Sequence, residues 1–164
     1  MSSRDTQRSR VYAAEEFVRT LFDRAAGHSS RVIDFFGAQI TLPPEARFGS
    51  VDSVQRYIDS VLLLPAVAAR WPQSRTLAVR ARRAATAAHY ENIGGAGVIA
   101  VPARERWALR ELVVLHEVAH HLCAGGGPAH GPEFVATFCA LAEAVMGAEA
   151  AHVLRVVYAK EGVR

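Results

Sequence analysis

Two hydrophobic periods alternate along the chain. Over Val11–Ala26 the apolar positions Val11, Ala14, Phe17, Val18, Leu21 and Phe22 recur at helical spacing, and Gly27 follows as a stop. Arg31–Phe36 and Ala38–Leu42 place β-branched and aromatic residues around Gly37, which predicts strands or a hairpin, broken by Pro43-Pro44. Ser50 is placed to cap a helix over Val51–Leu64 with Val54, Tyr57, Ile58, Val61 and Leu62 as its buried face. Pro65 kinks or ends that helix, and Trp71-Pro72 closes the region. From Thr76 to Arg83 the period drops to two, with Leu77, Val79 and Ala81 on one face and Thr76, Ala78, Arg80 and Arg82 on the other. Ala87–Glu91 and Val98–Val101 read as two further strands, joined by a flexible turn over Asn92–Gly97.

Helical spacing then returns. One helix is predicted over roughly Ala103–Cys123, apolar nearly all round from Leu112 to Leu122 and therefore central and buried. Gly125-Gly126-Gly127-Pro128 ends it. Pro132 suits the first turn of a helix that runs to Met146 and stops at Gly147. Ala148–Glu161 is the last helix, with Ala151, Leu154, Val157 and Tyr158 on one face. Residues 1–10 are polar and basic and are expected to be a disordered tail, leaving 11–164 as a single domain. The expected architecture is α+β, with a short, mostly antiparallel sheet packed on the buried helix and further helices on either side.

That buried helix carries the chemistry. It contains His116-Glu117-Val118-Ala119-His120. Residues four apart on a helix stand about 40° apart around the axis, so His116 and His120 point the same way and can share one metal ion. Glu117 lies beside them, where it can act as general base on a water that the metal activates. His121 stands about 140° round from His116 and does not belong to the pair. Catalytic zinc takes three protein ligands and keeps an open position. His130, in His130-Gly131-Pro132-Glu133-Phe134, arrives where the next helix begins and is the expected third ligand. Glu143 and Glu133 are the alternatives, as in proteases whose third ligand is a carboxylate.

Composition narrows the picture. At 164 residues the chain is long enough to bury a real core, and 51% hydrophobic with 21% charged is ordinary for a soluble globular protein. The net charge of +3 permits an anionic partner without demanding one. Cys123 and Cys139 are too few for a disulfide scaffold, which makes a reducing cytoplasm the expected location. Cys123 reads as a small buried thiol and not as a ligand. Acidic and basic residues after the N-terminal segment leave no apolar core for a signal peptide. The longest apolar run, Val61–Ala69, is interrupted by Pro65 and too short to span a bilayer. Arg70, Arg75, Arg80, Arg82 and Arg83 form a basic stretch; without interleaved aromatics they read as a solvated strand face before they read as a nucleic-acid surface.

With His116-Glu117-x-x-His120 and His130-Gly-x-x-Phe134 both present, the chain resembles a minimal zincin. It resembles the SprT-like metalloproteases over about twenty residues. It resembles the short zinc metallohydrolases inferred in actinobacteria over more of its length, including Ala87-Ala88-His89-Tyr90-Glu91 and Ile99-Ala100-Val101-Pro102. The resemblance implies zinc on His116, His120 and His130 with Glu117 as base. Two departures stand out. The Cys-rich ribbon often found in SprT-like proteins is absent, and the metzincin pattern fails at Cys123 and Gly126.

The expected activity is zinc-dependent hydrolysis, first of peptide bonds in a peptide or protein substrate. A small-molecule amidohydrolase, or a nucleic-acid-associated regulatory protein with a structural zinc site, are the other readings. His89 or Tyr90 is placed to stabilise an oxyanion, although both are equally ordinary strand residues. Val98–Val101 or Ala87–Glu91 is expected to offer a sheet edge to an extended peptide.

Overall fold

The computed structural model describes residues 4–73, 76–83, 87–123 and 125–164. Arg75 of the basic stretch lies outside the described residues. The fold is α+β, and its contacts divide the chain into two compact units: Met1–Glu45 with Gly125–Arg164, and Ala46–Ala124.

The first unit is mostly helical. It holds α1 (Arg8–Ala26), the strands β1 (Val32–Phe35) and β2 (Ala38–Thr41), and two later helices, Pro132–Met146 and Ala148–Lys160. β1 and β2 form the antiparallel hairpin that the aromatic and β-branched run predicts. Its two-residue turn, Phe36-Gly37, has both φ angles positive, at 51° and 85°. Such turns match the right-handed twist of the strands, and Gly37 adopts the conformation without cost. The helix Ala148–Lys160 packs on both α1 and Pro132–Met146. Val11, Val18, Leu21 and Phe22 of α1 and Val153, Leu154 and Val157 near the C-terminus are all buried, as their spacing requires. Inside this core the Tyr158 hydroxyl donates to Glu15.

The N-terminal tail is shorter than the sequence suggests. α1 begins at Arg8, and Gln7 ahead of it is buried. The Gln7 amide nitrogen donates to the carbonyls of His130 and Arg164 at 2.7 and 2.8 Å, while its oxygen accepts from Arg164 N at 3.1 Å. Polar residues near a terminus read as solvated. Here their polarity is satisfied by backbone more than a hundred residues away.

The second unit carries the motif helix. Its elements are α2 (Val51–Leu63), α3 (Pro65–Arg70), β3 (Leu77–Ala81), β4 (His89–Ile93), β5 (Ala96–Val101) and α4 (Glu111–Leu122). The two helices already described in the first unit are, in chain order, α5 (Pro132–Met146) and α6 (Ala148–Lys160). Ser50 caps α2 as expected, accepting from Ser53 N while the Ser53 hydroxyl accepts from Ser50 N. Pro65 does more than end α2: it opens the short α3 at a position where its missing N–H costs nothing.

The three strands form one mixed sheet in the order β3-β5-β4, with β5 parallel to β3 and antiparallel to β4. The flexible turn expected over Asn92–Gly97 is much tighter. Asn92 and Ile93 belong to β4, and Gly94-Gly95 alone make the turn, at φ 60° and 89°. β5 is therefore central, and Val98–Val101 cannot be the free edge. The outer side of β3 is covered by Gln55 of α2, whose side chain accepts from Val79 N and donates to Leu77 O at 2.8 and 2.9 Å. This leaves β4 as the other edge of the sheet.

The motif helix starts later than its apolar pattern predicts. Arg106–Ala108 form a single 3₁₀ turn, and Arg110 is extended and bridges to Arg47. Phe48 N donates to Leu109 O, and Glu111 N donates to Ala46 O, so this backbone is satisfied by a neighbouring segment and not by its own turn. Helical spacing cannot register such a tertiary pairing. Glu111 fixes the start of α4: its carboxylate accepts from Ala46 N and from the Tyr57 hydroxyl.

Candidate metal centre

α4 is buried along nearly its whole length, including His116 at 3% exposure and Glu117 at 6%. Burial of polar groups is costly unless they are paired or liganded. His116 Nε2 and His120 Nε2 lie 3.2 Å apart, with ring centroids 4.9 Å apart and planes inclined at 72°. Two nitrogens bound at about 2.0–2.1 Å to one tetrahedral zinc would stand roughly 3.3–3.4 Å apart. The pair is thus already at ligand spacing, as the i,i+4 placement predicts.

His121 follows the other direction that helix geometry assigns to it. Its Nδ1 lies 3.3 Å from the Tyr90 hydroxyl of β4, and its ring rests on β5 at Gly97. A Cβ on Gly97 would sit 2.4 Å from His121 Nδ1 and 2.9 Å from Leu77 Cδ1, so only glycine admits the ring there. The Tyr90 ring in turn lies nearly parallel to that of His120, at a centroid distance of 6.4 Å and 12° between planes. Burial pushes the Tyr90 phenol up from its ordinary value, partly opposed by a hydrogen bond with Asn92. Strand alternation separates the two oxyanion candidates: Tyr90 stands with the histidines, while His89 is exposed on the opposite face.

His130 precedes α5 and is 5% exposed. Its Nδ1 is 2.7 Å from Asp5 Oδ2. Tyr12 packs against the ring at a centroid distance of 5.1 Å and 59°, and Phe134 meets it edge-on at 5.1 Å and 75°. Sequence reading missed Asp5, Gln7 and Tyr12 altogether. Their only signal is a carboxylate and an amide in a polar stretch, which no periodicity distinguishes from solvated tail.

One ligand atom from each of His116, His120 and His130 lies within 4.8 Å of the other two, close enough for all three to hold one metal ion. Three imidazoles form a donor set of intermediate softness that suits zinc and its neighbours in the first transition row. Neither carboxylate alternative joins this group. Glu143 is exposed and paired with Arg155 at 2.6 Å, and Glu133 is exposed and lies against Gly125. Cys123 caps the C-terminus of α4 and is not part of the cluster.

Arg80 pairs with Glu91 at 2.6 Å, Arg82 donates to Ala87 O and Arg70 lies over Trp71. His28 and His152 are exposed. Met146 is core. Among the described residues no helix is long and apolar enough to cross a membrane. No family model, curated protein or solved structure matches the chain.

Proposed function

We propose that this chain is a zinc-dependent hydrolase of peptide bonds, of the minimal zincin kind that its motifs resemble. The observation that carries the reading is the histidine cluster: a helical pair at zinc-ligand spacing, a third imidazole within 4.8 Å, and a carboxylate buried on the same helix at Glu117. Three ligands are what a catalytic site uses, since a structural zinc site closes its shell with a fourth.

Zinc, when bound, supplies Lewis acidity that polarises a carbonyl and makes water acidic enough to act near neutral pH. The chain's own groups do the rest. The Glu117 carboxylate accepts the proton of the attacking water and returns it to the leaving amine. Tyr90, whose ring stacks near that of His120, would donate its hydroxyl proton in a hydrogen bond to the developing oxyanion. The edge strand β4, which carries Tyr90, offers unpaired backbone groups along which an extended peptide can lie as an added strand. Antiparallel pairing along β4 would favour a peptide over a compact small molecule.

The test is metal content by mass spectrometry, followed by hydrolysis of a quenched-fluorescent peptide library, on wild-type protein and on Glu117→Gln. We expect about one zinc in both proteins, with turnover in the variant reduced about 10²- to 10⁴-fold. Equal turnover in the variant removes Glu117 from the mechanism. No metal in the wild type after zinc is supplied removes the hydrolase reading.

A further inference from the structure

The N-terminal segment meets His130 at its ring, at Nδ1 and at its backbone carbonyl. Asp5 holds Nδ1 at 2.7 Å, Gln7 holds the backbone carbonyl at 2.7 Å, and Tyr12 packs on the ring. Phe134, in the first turn of α5, meets the ring edge-on. The partners at Asp5 and Gln7 are 125 and 123 residues away in sequence, so the arrangement is tertiary and not a local turn.

An imidazole has two nitrogens, and a neutral ring carries its proton on one and its lone pair on the other. A carboxylate accepts and cannot donate when ionised, so Asp5 at 2.7 Å places the proton on Nδ1 and the lone pair on Nε2. A metal ligand needs that choice fixed, because a ring that donates Nε2–H cannot bind. Carboxylates that hold the far nitrogen of a ligating histidine do this and raise its basicity. Asp5 Oδ2 holds this contact, while Oδ1 is buried with no hydrogen-bond partner among the described residues.

We infer that Asp5 is the positioning residue of the metal centre, holding His130 as an Nε2 donor, with Gln7 and Tyr12 fixing the backbone and ring plane that carry it. The inference rests on the proposed metal site, and it makes Asp5, Gln7 and Tyr12 part of that site. Asp5 touches no reacting atom; it acts through His130.

Two measurements decide it. Zinc affinity is determined by chelator competition on wild type, Asp5→Asn and Asp5→Glu, with the cobalt absorption spectrum of each as a report on ligand geometry. Long-range ¹⁵N correlation on the wild-type histidines then reads the His130 tautomer without any variant. We expect about 10- to 100-fold weaker zinc binding in Asp5→Asn, an altered cobalt spectrum, and partial recovery in Asp5→Glu. The wild-type spectrum should show Nδ1–H in metal-free and loaded protein. Equal affinity in wild type and Asp5→Asn, or an Nε2–H tautomer in metal-free wild type, overturns the inference while leaving the metal site intact. If Asp5→Asn fails to fold, the tautomer alone decides. A wild type that binds no metal overturns the proposed function itself and this inference with it.

Discussion

The two histidine environments are built by opposite means. On α4, His116 and His120 are four residues apart, and helix geometry alone brings their Nε2 atoms to 3.2 Å. Around His130 no local rule operates: its ring and carbonyl are held by Asp5, Gln7 and Tyr12, more than a hundred residues earlier. The first arrangement survives any change that leaves a helix. The second depends on tertiary structure at every contact. The histidine cluster thus has one half that is written in the sequence and one half that only folding makes.

The sharpest break between them is removal of each ligand. His120→Ala should abolish tight zinc binding, since it breaks the preformed helical pair and leaves His116 and His130, which no local geometry aligns. His130→Ala should leave the α4 pair able to bind zinc, but far more weakly than the three-ligand site. Isothermal titration with zinc on the two variants tests this. Equal, undiminished affinity in His130→Ala would show that the third ligand lies elsewhere, and Glu133 would then be the next residue to vary.

This asymmetry explains what was legible in the chain. Ser50 as a cap, the helices over 132–146 and 148–160, and the histidine pair were readable because each depends on residues within one or two turns. The start of α4 was misplaced by eight residues because 109–111 pair with 46–48, a contact that apolar spacing does not encode. The tight Gly94-Gly95 hairpin was read as a longer flexible turn because Asn92, Ala96 and Gly97 beside it are small or polar. Asp5 and Gln7 were assigned to a tail because polar side chains look alike in sequence whether water or buried backbone satisfies them. The strand order was not readable either. That β5 is central and β4 an edge follows from pairing partners, not from the composition of either strand.

Alkaline pH probes the packing of α1, α5 and α6. Burial pushes the Cys139 thiol from its ordinary value of 9.0 to about 11, opposed by Arg155 and reinforced by Glu15 and Glu143. Burial also pushes the Tyr158 phenol well up, reinforced by the charge of Glu15 and the hydrogen bond to it. Both groups are neutral when protonated and both titrate later in the folded chain. Between the unfolded and folded values the native state therefore holds more protons, and stability falls as pH rises. Below pH 9 the Cys139 contribution is fully present. Between pH 9 and about 11 it is lost at about 1.4 kcal/mol per pH unit. Urea titrations at pH 8, 9, 10 and 11 should show this decline, and Cys139→Ala should flatten it. A parallel decline in the variant would assign the loss to other groups.

The smallest effect expected is at Gly97, and it tests the half of the site that looks self-sufficient. Although helix geometry alone pairs His116 with His120, His121 on the same helix is seated on β5 and hydrogen-bonded to Tyr90. A Cβ at Gly97 would meet the imidazole at 2.4 Å and Leu77 at 2.9 Å. Leu77 is buried in the core and cannot swing away freely, so the ring must shift or the strand must move from the helix. Overpacking of this kind costs about 1–3 kcal/mol. Gly97→Ala should lower the unfolding free energy by that amount and displace Tyr90 from His120. Because the His116–His120 spacing is set within α4, zinc affinity should change far less than in Asp5→Asn. Chemical denaturation and zinc titration on the same sample separate the two outcomes. A loss of affinity as large as that of Asp5→Asn would show that the helical pair also depends on its tertiary seat, and the contrast between the two environments would disappear.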